Sequence, residues 1–392
     1  MSASTLKTPT VYLGQVATRA SITQQITTAH TFANSRSMHV MRENVSSFQI
    51  VIYNGYIDNY GEHPSGQTFT FTASVEYPVG TCTRITFSGL NSVALASGAV
   101  IVSDPVSYTG PIGSQFYIRE YQTSATSIMY SQRNADYFDQ YDITTSSDLT
   151  GTCGALNTAT VANLAFNPQA IIGKTSRPSL YIAGDSRNYG GTENGPPDLG
   201  NDYGEVAHIF GPQYAYINMG VNSATAQQEA TQNIVRQQFM KYCSHAVNAL
   251  GINDVTASRT SAQIVADRNT LDAIMASKVQ SGVVIGTTLS PHTTSTDGFI
   301  TTANQTVVAN ESVRQAFNTN VRNANGGLTY EHYLLDFDGA IDPAASGKWP
   351  VGTYPGLTAG TATTADGLHA TQNSSIQFYR QYVPANQQQL KW

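Results

Sequence analysis

Two hydrophobic periodicities divide this chain and constrain its fold more than any other feature. Between Gln67 and Tyr77, Phe69, Phe71, Ala73 and Val75 alternate with Thr68, Thr70, Thr72 and Ser74. A period of two puts one strand face in a core and the other toward water. Phe48–Tyr53, Thr83–Phe87, Ala99–Val102 and Gln115–Tyr121 are shorter β-rich runs, punctuated at Asn54-Gly55, His63-Pro64, Tyr77-Pro78 and Gly110-Pro111. No amphipathic helical spacing precedes residue 150, so this part predicts an all-β sandwich, jelly-roll-like.

After about residue 175 the pattern changes. Leu180–Ala183, Ala215–Met219, Ala246–Leu250, Val283–Thr287 and Tyr333–Phe337 read as strands. Thr225–Tyr242, Thr260–Lys278 and Asn304–Arg322 carry helical spacing, with Val313, Phe317 and Val321 recurring every four residues. Thr260 with Gln263 fits a capping box, and Asn325-Gly326-Gly327 stops the third helix. Strand–helix alternation predicts crossover units on a parallel sheet, here five-stranded. The expected organisation is a β-sandwich domain over 1–135, a Thr/Ser/Asn-rich bridge over 136–175 and an α/β domain over 176–392.

Composition narrows the function. The 20 Lys and Arg against 26 Asp and Glu give a net charge of −6 over 392 residues. Nucleic-acid binding needs a dense basic stripe, which this chain lacks. No run of 18 apolar residues exists, so no membrane insertion is expected. Hydrophobic content of 40% is enough to fill a core and excludes a disordered chain. Met1 to Thr10 shows no basic start followed by an apolar stretch, so no signal peptide is visible. Low charge with abundant Thr, Tyr and Gly nevertheless suggests an extracellular or secreted protein. Oligomeric state is left open.

Cys82, Cys153 and Cys243 have no zinc-type spacing. A Cys82–Cys153 bridge with Cys243 buried is one reading, and three separate buried thiols is the other. Asp336, Asp338 and Asp342 begin like a calcium loop, but Ile341 and Gly347 occupy the places of its Gly and Glu. No phosphate loop or dinucleotide fingerprint is present. Neither metal nor cofactor is expected.

The chemistry-bearing residues stand at the ends of the predicted strands. The first strand runs into Gly184-Asp185-Ser186, the second ends at Asn218-Met219-Gly220, and the third at Gly251-Ile252-Asn253-Asp254. Asp366-Gly367-Leu368-His369 lies near the C-terminus, before an expected last short helix. Ligands of open parallel sheets bind beyond the carboxyl ends of the strands, so these blocks predict one crevice. Ser186 supplies a hydroxyl, His369 a base, Asp366 an orienting carboxylate, and Gly220 and Asn253 supply N–H donors, the parts an acyl-transfer site needs. His292 is a candidate for the rim, while Asp254, His208 and His245 read as structural.

This set closely resembles the SGNH (GDSL-type) hydrolase superfamily over about 215 residues, from roughly Arg177 onward. A GDS, a lone Gly, a GxND and a DxxH occur in the family order. The resemblance implies a three-layer, flavodoxin-like fold, with Ser186 as nucleophile, His369 as base and Asp366 as its partner. It implies an oxyanion hole from the Ser186 N–H, Gly220 and Asn253. One departure is that Arg187-Asn188-Tyr189-Gly190-Gly191 and a Gly/Pro/Asn-rich run to Gly200 follow the nucleophile, where the family starts a helix at once. Family members that pair a β-domain with the hydrolase imply a carbohydrate esterase removing acetyl groups. The alternative is a carbohydrate- or surface-binding adhesion protein with a vestigial hydrolase fold, using Tyr56, Tyr60, Tyr108 and Tyr117 to stack on sugars.

Overall fold

The computed structural model describes residues 10–131, 139–156, 165–193, 203–323, 326–352 and 361–371. The early strands form two antiparallel sheets. One runs Tyr12–Gln15, Ala170–Thr175, Ser47–Tyr53 and Val100–Val102, with Val106–Ser107 also on Ser47–Tyr53. The other runs Val93–Leu95, Phe69–Glu76, Gln115–Thr123, Phe32–Val40 and Gln140–Asp142, with Cys82–Ile85 also on Phe69–Glu76. Ile50 and Ile52 from the first sheet share a core with Phe69, Phe71, Phe116 and Ile118 from the second. Phe69, Phe71, Ala73 and Val75 all face inward. On the opposite face Glu76 is buried too, because Arg36 and Arg119 from other strands close over it at 2.9 and 3.1 Å.

One expectation is corrected here and one alternative is resolved. The segment 136–175 is more than a bridge, since Gln140–Asp142 and Ala170–Thr175 are strands of the two sheets. Ala170, Ile171 and Ile172 are all fully buried, so no alternation marks them. Of the cysteine alternatives the structure takes the bridge, Cys82 to Cys153 with Cα atoms 5.8 Å apart, and Cys243 is free and buried.

From residue 179 on, strands and helices alternate. The helices are α1 (Ser186–Tyr189), α2 (Glu205–Phe210), α3 (Ala226–Gln232), α4 (Gln237–Met240), α5 (Ile252–Thr256), α6 (Ser261–Lys278), α7 (Glu311–Arg322) and α8 (Phe337–Ile341). All strands of the central sheet pair in parallel, in the order Ala20–Ser21, Ala215–Asn218, Ser179–Gly184, His245–Ala249, Val283–Thr287 and Glu331–Leu335. The sheet therefore has six strands rather than five, the sixth a two-residue edge strand from the N-terminal part. Without it the order is 2-1-3-4-5, and the direction of winding reverses beside the strand Ser179–Gly184.

Packing joins the two parts. Val51, Tyr53, Ile57 and Ile172 belong to the same apolar cluster as Tyr181, Ile217, Met240 and Leu271. The Thr260 capping box opens α6 as its residues dictate. The run Thr225–Tyr242 is broken into α3 and α4, because the Glu62 carboxylate accepts the N–H groups of Ile234 (2.9 Å) and Arg236 (3.0 Å) between them. The helix expected from Asn304 begins only at Glu311, since Gln305–Val307 pairs with Thr293–Ser295 as a small antiparallel ladder. The short helix expected after His369 lies outside the described residues.

Candidate active site

Ser186 is positioned by a tight strand-to-helix turn. The strand Ser179–Gly184 ends at Gly184, where a Cβ would come within 2.6 Å of the Asn188 side chain. The Asp185 carboxylate then accepts the Arg187 N–H at 2.9 Å and caps α1. Burial pushes the Asp185 carboxyl up from its ordinary value, and the neighbouring Arg187 charge offsets only part of this. A helix does start at Ser186, contrary to the sequence reading, but it lasts one turn. Gly190, at φ 86°, ends it by donating to the Ser186 carbonyl. Of the expected insert, residues 194–202 lie outside the described residues.

The hydroxyl meets the C-terminal block. Ser186 Oγ lies 2.7 Å from His369 Nε2, and His369 Nδ1 lies 2.7 Å from Asp366 Oδ2. Asp366 Oδ1 accepts the N–H groups of Leu368 (2.9 Å) and His369 (2.8 Å), so one carboxylate fixes both loop and ring. Burial raises the Asp366 carboxyl, but the His369 hydrogen bonds and the Leu368 N–H outweigh it and hold the group well below the usual carboxylate range. Asp366 is therefore anionic at neutral pH, the state that orients an imidazole donor.

Two residues that sequence reasoning missed hold this loop. Thr364 Oγ1 accepts the Gly367 N–H at 2.9 Å and donates to the His369 carbonyl at 2.6 Å. The fully buried Trp349 donates from Nε1 to the Gly367 carbonyl at 2.8 Å. Thr364, two residues before Asp366, had a signal in the tendency of Thr to bond nearby backbone in turns. Trp349 had none, because its partner is set by the tertiary fold.

The expected donors lie in a connected network. Val221 N–H donates to the Gly184 carbonyl at 3.1 Å, and Asn218 Nδ2 donates to the Asn188 carbonyl at 2.7 Å, joining the first two blocks. Asn253 Nδ2 donates to the Ala224 carbonyl at 3.0 Å. The buried Asp254 carboxylate accepts the Ala226 and Gln227 N–H groups at the start of α3, so it is structural, but it caps that helix rather than holding its own turn. Gly220 departs from expectation. Its N–H donates to Asn218 Oδ1 at 2.9 Å and is thus committed inside the protein. The Asn253 amide keeps a second hydrogen beyond its bond to Ala224.

Around this centre, His292 interacts electrostatically with Arg187, Asp366 and His369. Burial first and the Arg187 charge second hold its imidazole below its ordinary value. The Arg187 guanidinium donates to the Ser290 and Pro291 carbonyls at 3.2 and 3.3 Å. A hollow beside His369 is lined by Arg187, Gly191, Thr192, Glu193, Glu205 and Ala370. His208 is buried against Glu193 at 2.8 Å, and His245 against Ser244 Oγ at 2.7 Å. Asp336 and Asp338 pair with Arg322, and Asp338 also with Arg314, so these carboxylates neutralise arginines. Among the described residues no cluster of His, Cys, Asp and Glu is arranged to hold a metal ion, and no helix is long and apolar enough to cross a membrane.

No family model and no curated protein matches this chain. Solved structures similar to it include a carbohydrate acetylesterase from Sinorhizobium meliloti, at 14% identity and TM-score 0.33, covering 52% of this chain and 94% of that one. A member of the lipolytic protein G-D-S-L family from Veillonella parvula is 12% identical with TM-score 0.34, covering 51% and 92%. The M. smegmatis aryl esterase is 13% identical with TM-score 0.34, covering 52% and 94%.

Proposed function

We propose that this chain is a serine ester hydrolase of the SGNH type that removes short acyl groups, acetyl above all, from carbohydrate. The observation that carries the reading is the relay from Ser186 Oγ through His369 to Asp366, with both contacts at 2.7 Å. Ser186 attacks the ester carbonyl carbon while His369 Nε2 takes the hydroxyl proton. Asp366 keeps the ring in the tautomer with hydrogen on Nδ1 and stabilises the imidazolium that forms. The negative charge on the tetrahedral oxygen is met by the Ser186 N–H and the second hydrogen of the Asn253 amide. Gly220 contributes only if Asn218 releases its N–H. His369 returns the proton to the leaving alcohol, then activates the water that frees Ser186 from the acyl group.

The substrate reading rests on the lining. Arg187, Thr192, Glu193 and Glu205 line the hollow beside His369, which at about 10 Å³ has room for about one water and none for a fatty chain, so a short acyl group is the reading it supports. The Cys82–Cys153 bridge supports an oxidising, extracellular setting.

The test is a panel of aryl esters of increasing acyl length and acetylated sugars, with wild type and Ser186→Ala. Wild type should favour acetyl, and the variant should lose nearly all turnover while keeping its melting temperature. Retained turnover in Ser186→Ala, or fluorophosphonate labelling at another residue, would overturn the assignment.

A further inference from the structure

Away from this site, the two most exposed large hydrophobic side chains among the described residues stand together. Tyr60 is 75% exposed and Ile234 73%. Both line one open groove of about 520 Å³, with Pro64, Thr231, Gln232 and Val235, between the hairpin of Gly55–Asp58 and Gly61–Pro64 and the α3–α4 corner.

The hairpin tip is rigidly held. Asp58 Oδ1 accepts the Tyr60 and Gly61 N–H groups at 2.8 and 3.2 Å, and Gln228 Nε2 donates to the Asn59 carbonyl. Glu62 accepts N–H groups from Ile234 and Arg236, as described above, and also Arg236 Nε at 3.2 Å. Gly61 has φ 136°, and Gln232 Oε1 stands in clashing distance of where a Cβ would be. These contacts hold the backbone on either side of Tyr60 and Ile234 and leave both side chains open to a ligand.

The chemistry of the groove selects its occupant. Glu62 is the one ionisable carboxylate in its lining, and its oxygens are taken by backbone N–H groups and Arg236. What remains is an aromatic ring, aliphatic side chains, the Gln232 amide and the Thr231 hydroxyl oxygen, with no free charge. A pyranose matches this set, with a C–H face for the ring and hydroxyls for the amide. An acidic polymer would find no cation. The groove is also close to the chemistry. α3 begins at the N–H groups held by Asp254, beside Asn253, and ends at the groove, and its seven residues span ~10 Å.

We infer that this groove is a neutral-carbohydrate subsite that holds a glycan chain while Ser186 works on it, an inference that rests on the carbohydrate esterase reading above. The test is binding to an array of neutral plant and bacterial polysaccharides, comparing full-length Ser186→Ala with Ser186→Ala/Tyr60→Ala and Ser186→Ala/Ile234→Thr. Ser186→Ala should bind at least one polysaccharide, and each double variant should lose roughly tenfold in affinity at an unchanged melting temperature. No binding by Ser186→Ala, or equal binding by all three, would overturn the inference. So would sedimentation showing that Tyr60→Ala converts an oligomer to a monomer, since the groove would then be a subunit interface. The binding readout needs no ester cleavage, so failure of the esterase reading and failure of the groove are separable.

Discussion

Asn253 Nδ2 donates to the Ala224 carbonyl at 3.0 Å, tying α5 to the loop that follows the strand Ala215–Asn218. This bond uses one amide hydrogen and sets the direction of the other. Asn253→Ala should therefore lower kcat by ~10²–10³, the usual effect of removing one oxyanion donor. KM should change much less, because the bond strengthens only as charge builds on the oxygen. Steady-state kinetics on an aryl acetate, with chemistry rate-limiting, decides. If more than about a third of wild-type kcat survives, Asn253 serves only to hold the loop.

Trp349 makes a second prediction. Its indole N–H is a donor to Gly367, which lies between Asp366 and His369. Trp349→Phe keeps most of the volume and removes one of two donors to the Gly367 carbonyl, which the Thr293 N–H still reaches at 2.9 Å, so it should cost about 0.5–1.5 kcal/mol. It should also lower kcat by tenfold or more with KM nearly constant, since small displacements of a catalytic group are expensive in rate. A parallel slowing of fluorophosphonate labelling at Ser186 would show that the loop, and not substrate binding, is affected. A loss of stability with kcat intact would reduce Trp349 to packing.

A third prediction concerns Glu76 and acid stability. It accepts from Arg36 at 2.9 Å, Arg119 at 3.1 Å, and the Gly80 and Gly154 N–H groups, both at 3.0 Å. Burial raises its carboxyl, but the Arg36 hydrogen bond, the Gly80 N–H, the Arg36 charge and the Arg119 hydrogen bond prevail and bring it down to about 2. Its folded-state value lies below its unfolded value, so this contribution is fully present above the unfolded value of about 4.3 and is lost as pH falls toward 2. Urea midpoints should drop through that window in wild type. They should drop less in Glu76→Gln, which at neutral pH should already be destabilised by ~3–5 kcal/mol because two buried arginines lose their carboxylate.

The cysteines give a chemical check. Cys82 and Cys153 close a loop across a sequence separation of 71, so replacing both with Ser should lower stability by about 4 kcal/mol in the chain-entropy account. Both lie in the β-sandwich, so aryl-acetate turnover should persist. Cys243 is fully buried, and burial pushes its thiol far above the ordinary value. Ellman's reagent should find no thiol in the native protein and one after unfolding. Three thiols in the unfolded, unreduced protein would mean that the bridge does not form.

The sequence by itself determined whatever depends on near neighbours. The alternation around Phe69 and Phe71 marks a strand because successive side chains point to opposite faces. Thr260 and Gln263 open α6 because both halves of a capping box lie within four residues. Ser186 and Asn253 were legible for a related reason, since each sits in a short block at the end of an apolar run, and Asp366 and His369 because they stand three apart in one DxxH block. What the tertiary structure decided depends on partners far along the chain. Glu62 breaks the helix expected over Thr225–Tyr242 from 172 residues before Ile234. Ala20–Ser21 joins the parallel sheet only because the strand Ala215–Asn218 leaves an edge for it. Trp349 reaches Gly367 across a buried interior. Local periodicity fixes which residues become strands and helices, whereas burial and hydrogen-bond satisfaction over the whole chain fix which of their polar groups remain free for chemistry.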